Sequence, residues 1–148
     1  YYIQRAEWEH ALNPTERDRA SYIEECFLPA KSQTEFLEGD QEIVPGVHVE
    51  VLRGHTWNMQ GVWLESEDQS ALFISDLVPT AAHLPYSWIM SFDLYPMETL
   101  ATRKRLLPKL VEQGTLVIFP HDAKTPWARL VEIQGKITAA PVDEGVTV

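Results

Sequence analysis

Ala-Leu-Phe-Ile-Ser-Asp, at positions 71–76, joins a short apolar run to a carboxylate. The four apolar residues are typical of a buried strand, and Asp76 follows where such a strand would end. Positions 115–119, Thr-Leu-Val-Ile-Phe, form a second run of this kind, which is followed by Pro120 and His121. Loops at strand ends are where rigid scaffolds usually present reactive side chains. Asp76 and His121 are therefore candidate site residues.

Turn and breaker residues around these runs predict further elements. Residues 62–64 and 71–74 flank a polar turn and form one hairpin, and valines alternate with polar residues over 47–51. A helix is expected over 96–113, since Pro96 favours a first turn and Gly114 an end. The core stripe of this helix is predicted at Leu100, Leu107, Leu110 and Val111. A final hairpin, 128–133 with 136–140, precedes a polar tail.

The first third of the chain predicts helices beside a short strand. Residues 1–4 are β-rich, and residues 5–11 favour a short helix that ends near Asn13 and Pro14. A second helix is predicted from Thr15 to about Phe27, with a cap-like start and Pro29 as its end. Together with the later runs, these segments predict the α/β class. The N-terminus resembles the middle of a protein, so a preceding segment is expected.

Composition limits the possible functions. With 148 residues and 45% hydrophobic content, the chain can bury one core, and residues 1–148 are expected to form a single domain. The formal net charge of −10 disfavours nucleic acid and anionic membranes as partners. No apolar stretch approaches the roughly 20 residues that span a bilayer. The single Cys26 fits a reducing compartment, and a cytoplasmic location is expected.

A third candidate residue is His55, in Arg-Gly-His-Thr at 53–56, which also follows a strand-like run. Neutral imidazole binds zinc, iron and manganese, and a carboxylate can bridge two cations. Water held between two such cations loses a proton near neutral pH and becomes a nucleophile. His55, Asp76 and His121 are therefore candidate metal ligands.

The order of these three motifs resembles the metallo-β-lactamase superfamily, and within it the general hydrolase branch that includes quorum-quenching lactonases. The resemblance covers nearly the whole chain and implies the C-terminal part of an αββα sandwich. It implies that His55 completes a three-histidine metal site, that Asp76 bridges two metals, and that His121 completes the second site. The implied cofactors are two divalent ions, zinc first, with iron or manganese as alternatives. The implied reaction is hydrolysis of an ester, lactone, amide or thioester of a small-molecule substrate by metal-bound hydroxide.

Several features depart from the superfamily pattern. The His-x-His-x-Asp-His cluster of the family is absent from this sequence. Each implied metal would therefore keep two ligands, fewer than the three or more protein ligands of a typical catalytic site. We expect weak or absent metal binding and no useful turnover by the chain alone, with the other ligands supplied from upstream. Where lactonases place a tyrosine three residues after the bridging aspartate, this chain has Pro79, and Tyr86 is a possible substitute.

The loop after Asp76 contains the candidate substrate-binding residues His83, Tyr86 and Trp88. Aromatic residues are dense over positions 86–95. They form either a packed loop or the apolar wall of a substrate pocket. Replacing Trp88 and comparing stability with substrate affinity would separate these alternatives.

An alternative function is a catalytically inactive, self-associating domain derived from the same fold. Half of a sandwich exposes an apolar sheet face, and such a face commonly pairs with another copy of itself. A homo-oligomer is therefore expected if the chain is stable alone.

Overall fold

The chain is a mixed α/β structure built around one large sheet. The computed structural model describes residues 1–142, so the predicted polar tail after the last hairpin lies largely outside the described residues. The strands are β1 Tyr2–Gln4, β2 Glu35–Leu37, β3 Gln41–Val44, β4 Val47–Val51, β5 Gln60–Ser66, β6 Gln69–Phe73, β7 Leu116–Ile118, β8 Trp127–Ile133 and β9 Lys136–Pro141. The α-helices are α1 Arg5–Leu12, α2 Glu24–Phe27 and α3 Pro96–Gln113, and 3₁₀ segments cover Leu28–Gln33, Ser75–Leu77 and Ala81–His83.

The large sheet has the strand order β3-β4-β5-β6-β7-β8-β9. Neighbouring strands are antiparallel except β6 and β7, which run parallel. Parallel neighbours require a crossover connection, and α3 lies within the connection between these two strands. A separate parallel pair, β1 with β2, accompanies α1. Because β6 and β7 are parallel neighbours, their C-terminal ends, and the residues that follow, meet at one edge of the sheet.

The main core lies between α3 and one face of the large sheet. Leu72, Val117 and Ala128 are register partners across β6, β7 and β8 and are fully buried. Leu107 and Leu110 of α3 belong to the same buried cluster. Fully burying a leucine contributes about 1.5–3 kcal/mol. The core therefore fixes the two strands that precede Asp76 and His121.

The opposite face of the sheet is also apolar but is less covered. Val62, Phe73 and Ile118 are register partners in β5, β6 and β7 and are half-buried. Leu64 and Trp127 belong to the same face and are 42% and 49% exposed. This face matches the expectation that the sheet would present an exposed apolar surface.

Several elements predicted from sequence are confirmed. The predicted helix over 96–113 coincides with α3, and Gly114 ends it in the left-handed region with φ 63° and ψ 27°. The short helix predicted over 5–11 is α1, and the strand predicted at 1–4 is β1. Both later hairpins form as β5–β6 and β8–β9.

The prediction of a continuous helix from Thr15 to Phe27 is wrong. Residues 16–21 form turns, and α2 covers only Glu24–Phe27. The Asp18 carboxylate accepts hydrogen bonds from the backbone N–H and the hydroxyl of Thr15, at 2.7 and 2.6 Å. Such local bonds compete with helical ones. Pro29 does not end the helical structure, since it lies in the first turn of the 3₁₀ segment Leu28–Gln33.

The predicted core stripe of α3 is correct in part. Leu107 and Leu110 are buried, but Leu100 and Val111 are only half-buried. The buried face instead includes Leu106 and the polar residues Thr99, Thr102 and Arg103. Their polar groups bond to loops that pack on α3, which a hydrophobic pattern cannot reveal. In the described range, no helix is both long enough and apolar enough to cross a membrane.

Candidate metal centre

The three motif residues converge on one point at the edge of the sheet. His121 Nε2 lies 3.0 Å from Asp76 Oδ1, and His55 Nε2 lies 3.7 Å from Asp76 Oδ2. Each carboxylate oxygen thus faces a different imidazole nitrogen. This arrangement is the one expected of a carboxylate between two cation sites, with one histidine at each.

The Asp76 carboxylate provides an internal test of whether a cation fits. Its Oδ1 is buried and has no hydrogen-bond partner among the described residues. His121 Nε2 is within 3.0 Å, but the two atoms are not aligned as a hydrogen bond. Buried polar atoms are normally satisfied, and an orphan requires an explanation. Two imidazole nitrogens and an unsatisfied carboxylate oxygen form a donor set that suits zinc, iron or manganese.

In the part of the chain that the structure describes, each carboxylate oxygen of Asp76 has fewer than three candidate metal ligands around it. Within the described range, no three histidine, cysteine, aspartate or glutamate side chains are placed to hold one ion together. Structural and catalytic zinc sites use at least three protein ligands. Among the described residues, the candidate ligands at this point are therefore His55, Asp76 and His121 alone, and they fall short of a complete site for two ions.

The loop that carries His55 packs directly on the start of α3. Gly54 has φ 147°, and a Cβ at this position would lie 2.3 Å from Thr99 Oγ1 and 2.6 Å from Thr99 Cα. The carbonyls of Gly54 and His55 accept hydrogen bonds from the N–H groups of Tyr95 and Leu94, at 2.9 and 3.1 Å. A side chain at position 54 would separate these segments, which explains why glycine precedes the histidine.

His55 has a second carboxylate partner that sequence reasoning missed. Its Nδ1 lies 3.0 Å from Oδ1 of Asp93, whose side chain is fully buried. This hydrogen bond raises the pKa of the His55 imidazole above its ordinary value, and the negative charge of Asp76 acts in the same direction. Burial opposes the shift but is outweighed. The only sequence signal was an acidic residue within an aromatic segment, which is not specific.

Asp76 follows β6 through a strained residue. Ser75 has φ 52°, a value uncommon outside glycine, and its hydroxyl donates a 2.6 Å hydrogen bond to the Gln60 carbonyl on β5. This bond anchors the turn that redirects the chain from the strand into the 3₁₀ segment Ser75–Leu77. Strained residues of this kind often occur at functional sites.

His121 is placed by a cluster of backbone hydrogen bonds. Its N–H donates to the Pro79 carbonyl at 3.0 Å. The carboxylate of Asp122 accepts from the N–H groups of Thr125, Ala81 and Lys124, at 2.8, 2.9 and 3.0 Å. These bonds, that from Thr125 most of all, hold the pKa of Asp122 below its ordinary value against the effect of burial. The loops after Asp76 and His121 are thereby tied together.

An open cavity of about 630 Å³ contains all three residues. Glu7 of α1 bridges its wall, since its carboxylate accepts from Thr56 Oγ1 at 2.9 Å, from Asn58 N–H at 3.2 Å and from Tyr22 Oη at 2.6 Å. Burial has the largest effect on the pKa of Tyr22 and raises it, and the hydrogen bond between Tyr22 and Glu7 raises it further. The phenol is therefore protonated and donates to Glu7. The apolar part of the wall includes Met90, Phe92 and Leu94. Glu7 and Tyr22 were not predicted, because their contacts join distant segments.

His83, Tyr86 and Trp88 do not line this cavity in the described structure. His83 Nδ1 pairs with Thr80 Oγ1 at 2.8 Å, and Tyr86 packs against the main core. Trp88 is 59% exposed. The aromatic segment does reach the cavity, but through Phe92, whose ring meets that of His55 edge-on at 6.0 Å. A substrate contact by the three predicted residues remains a prediction.

No protein-family model matches the chain. An N-acyl homoserine lactonase from Bacillus thuringiensis is 30% identical over 125 residues, which cover 81% of this chain and 46% of the lactonase. The chain thus spans about half the length of the curated relatives it matches. The match falls in their C-terminal part.

Solved structures give the same result for the fold. A probable metal-dependent hydrolase from Staphylococcus aureus superposes with a TM-score of 0.87 at 24% identity, over 99% of this chain and 53% of that one. AidC, a dizinc quorum-quenching lactonase, superposes with a TM-score of 0.76 at 15% identity, over 95% of this chain and 54% of that one. A third structure is an N-acyl homoserine lactone hydrolase with the product N-hexanoyl-L-homoserine bound at its catalytic metal centre. It superposes with a TM-score of 0.66 at 30% identity, over 83% of this chain and 47% of that one. The predicted α/β class and the resemblance are confirmed.

Proposed function

We propose that the chain, which is similar in sequence and fold to the C-terminal part of metallo-β-lactamase superfamily hydrolases, supplies His55, Asp76 and His121 to a metal-dependent hydrolase. The observation that carries the proposal is the unsatisfied Asp76 Oδ1 between two imidazole nitrogens. His55 would hold one cation, His121 the other, and Asp76 both. When bound, two divalent cations would acidify water and polarise the scissile carbonyl.

The chain's own residues would act on the substrate and on the ligands. Phe92, Met90 and Leu94 give one wall of the cavity an apolar surface that fits an acyl or other uncharged group. Glu7 and Tyr22 hold the His55 loop against α1, so that the imidazole keeps its position. The carboxylates of Glu7, Asp18 and Asp76 also line the cavity. We propose that the substrate is a small-molecule ester, lactone, amide or thioester.

We also propose that the 148 residues are the C-terminal portion of one metallo-β-lactamase-like domain. Two ligands per cation fall below the three or more that a catalytic site uses. The remaining ligands would come from a His-x-His-x-Asp-His segment outside this sequence. Support comes from the share of the relatives that the chain spans and from the exposed apolar sheet face. On this proposal the 148 residues alone bind metal weakly and do not turn over substrate.

The test compares this chain with the longest reading frame that encodes it. Both proteins are loaded with Zn²⁺ and assayed with a γ-lactone, an aryl ester and a thioester. We expect turnover of at least one substrate by the longer protein only, loss of that turnover in Asp76→Ala, and no loss in the control Asp68→Ala, which alters an exposed turn. Turnover by the 148 residues alone would contradict the ligand count. An active Asp76→Ala variant would contradict the site.

The exposed sheet face supports a second candidate, a catalytically inactive domain that self-associates. Leu64 and Trp127 are apolar, lie on one face and are substantially exposed. Two copies that paired these faces would bury them. Size-exclusion chromatography with light scattering should then give a dimer that becomes a monomer in Leu64→Glu. A wild-type chain that is monomeric at all concentrations would exclude this candidate.

A further inference from the structure

A fully buried carboxylate, that of Asp93, lies behind His55 on the side away from Asp76. Its Oδ1 is 3.0 Å from His55 Nδ1, and its Oδ2 accepts a 2.7 Å hydrogen bond from Thr99 Oγ1. Burying an ionised carboxylate is unfavourable unless it is well paired. Both oxygens of Asp93 are paired, and one of the two partners is a candidate metal ligand.

The bond to Asp93 determines which nitrogen of His55 carries the proton. An ionised carboxylate can only accept hydrogen bonds, so the Nδ1 that it contacts must be the protonated nitrogen. In the neutral ring, Nε2 then has its lone pair free. Nε2 is the nitrogen that faces Asp76, at 3.7 Å from Oδ2. The hydrogen bond made by one imidazole nitrogen thus sets the availability of the other.

Backbone hydrogen bonds fix the position of Asp93 relative to His55. Leu94, next to Asp93, donates its N–H to the His55 carbonyl at 3.1 Å, and Tyr95 donates to the Gly54 carbonyl at 2.9 Å. Thr99, which bonds the second oxygen of Asp93, is the residue against which Gly54 packs. The same short segment therefore fixes both the loop of His55 and the orientation of its ring.

We propose that Asp93 is a positioning residue that holds His55 in the Nδ1–H tautomer and presents Nε2 toward Asp76. Its importance for metal binding rests on the proposed function, whereas the tautomer itself does not. Thr99 supports this arrangement, because its hydroxyl donates to Oδ2 of Asp93 and Oδ1 can then accept from the imidazole. Outer partners of this kind typically change metal affinity about 10–100-fold when they are removed.

The test begins with the wild-type chain, free of metal. Long-range ¹H–¹⁵N correlation spectra of ¹⁵N-histidine-labelled protein, recorded at alkaline pH where imidazoles are neutral, distinguish the two tautomers. We expect His55 in the Nδ1–H form. A His55 ring that is mainly in the Nε2–H form, the usual preference in water, would overturn the proposal without any variant having to fold.

Variants then separate positioning from a general structural role. Asp93→Leu should move His55 toward the Nε2–H form, whereas Asp93→Asn should rescue the Nδ1–H form, because its amide oxygen accepts from Nδ1 and its amide nitrogen donates to Thr99. His48 serves as the internal control, since its contacts are with Trp63 and Glu65. An unchanged tautomer in folded Asp93→Leu would also overturn the proposal.

A second readout distinguishes this proposal from the proposed function. Zn²⁺ titrated into wild type and Asp93→Leu should bind about 10–100-fold more weakly to the variant. If the tautomer changes as expected but Zn²⁺ never perturbs His55 in the wild type, the positioning role stands and the assignment of His55 as a ligand fails. Equal Zn²⁺ affinity at His55 in both proteins would overturn the positioning role in metal binding.

Discussion

Arg103 donates a 2.7 Å hydrogen bond from Nε to the carbonyl of Leu77, the residue directly after Asp76. The guanidinium is fully buried on α3, and its Nη1 also donates to the carbonyls of His83 and Trp88, at 3.0 and 2.9 Å. Burial lowers the pKa of Arg103, and the negative charge of Asp93 opposes this shift. One side chain therefore organises the whole loop that follows Asp76.

Replacing Arg103 should destabilise the chain strongly. Arg103→Met leaves three carbonyls without their donor, and each unsatisfied buried group costs about 1–3 kcal/mol, so we expect a total loss of about 3 kcal/mol after relaxation. Arg105→Met is the matched control on the same helix. Arg105 is half-exposed and pairs with Glu50, an interaction worth about 0–1 kcal/mol. Urea unfolding that gave equal losses for both variants would contradict this role of Arg103.

Gly54 should tolerate no side chain. In Gly54→Ala the new Cβ meets the backbone and hydroxyl of Thr99, and we expect a loss of about 2 kcal/mol or more. Gly39→Ala is the control, because Gly39 also has a positive φ of 86° but has no atom within 4 Å of the new Cβ. That variant should lose about 1 kcal/mol from backbone strain alone. Thermal unfolding measures the difference, and equal losses would show that the packing on Thr99 is unimportant.

The turn at Asp18 should make stability depend on acid pH. Burial acts to raise the pKa of Asp18, but hydrogen bonds with His10 and Thr15 outweigh it and leave the pKa below its ordinary value. A lowered folded-state pKa stabilises the protein above the unfolded value of about 3.9, and this contribution disappears as pH falls through the folded-state pKa. His10 and Tyr22 are the titratable groups that adjoin Asp18.

Asp18→Asn tests this dependence. At neutral pH we expect the variant to be less stable than wild type by about 1–2 kcal/mol, since a charge-assisted bond is replaced by a neutral one. The difference should shrink as pH falls below about 4. Asp68→Asn, in an exposed turn, is the control. A difference that stayed constant down to strongly acid pH would argue against the ionised carboxylate as its source.

Local patterns in the sequence predicted the parts of the fold that local physics determines. The α3 helix was placed correctly because Pro96 and Gly114 act within one turn of its ends. Asp76 and His121 were identified because each follows a short apolar strand, and the parallel pairing of β6 and β7 brings those ends together. The turn at 16–21 was missed because the Asp18 side chain replaces helical bonds with local ones.

Partners of the site residues could not be predicted in the same way. Asp93 is 38 positions from His55, and Glu7 is 49 positions from Thr56. These contacts depend on how loops pack on α3 and α1, and nothing in the neighbouring sequence marks either carboxylate. The buried role of Arg103 likewise depends on carbonyls 15 to 26 positions away in the sequence. Side chains that act through long-range contacts therefore require the structure.

A metal site that includes His55, Asp76 and His121 should respond to added Zn²⁺. We would titrate Zn²⁺ into the ¹⁵N-histidine-labelled chain and follow the imidazole resonances of all five histidines. We expect weak binding that perturbs His55 and His121 together, before His10, His48 or His83, and that is lost in Asp76→Asn. Perturbation of the other three histidines first, or unchanged binding in Asp76→Asn, would show that these residues do not form a metal site.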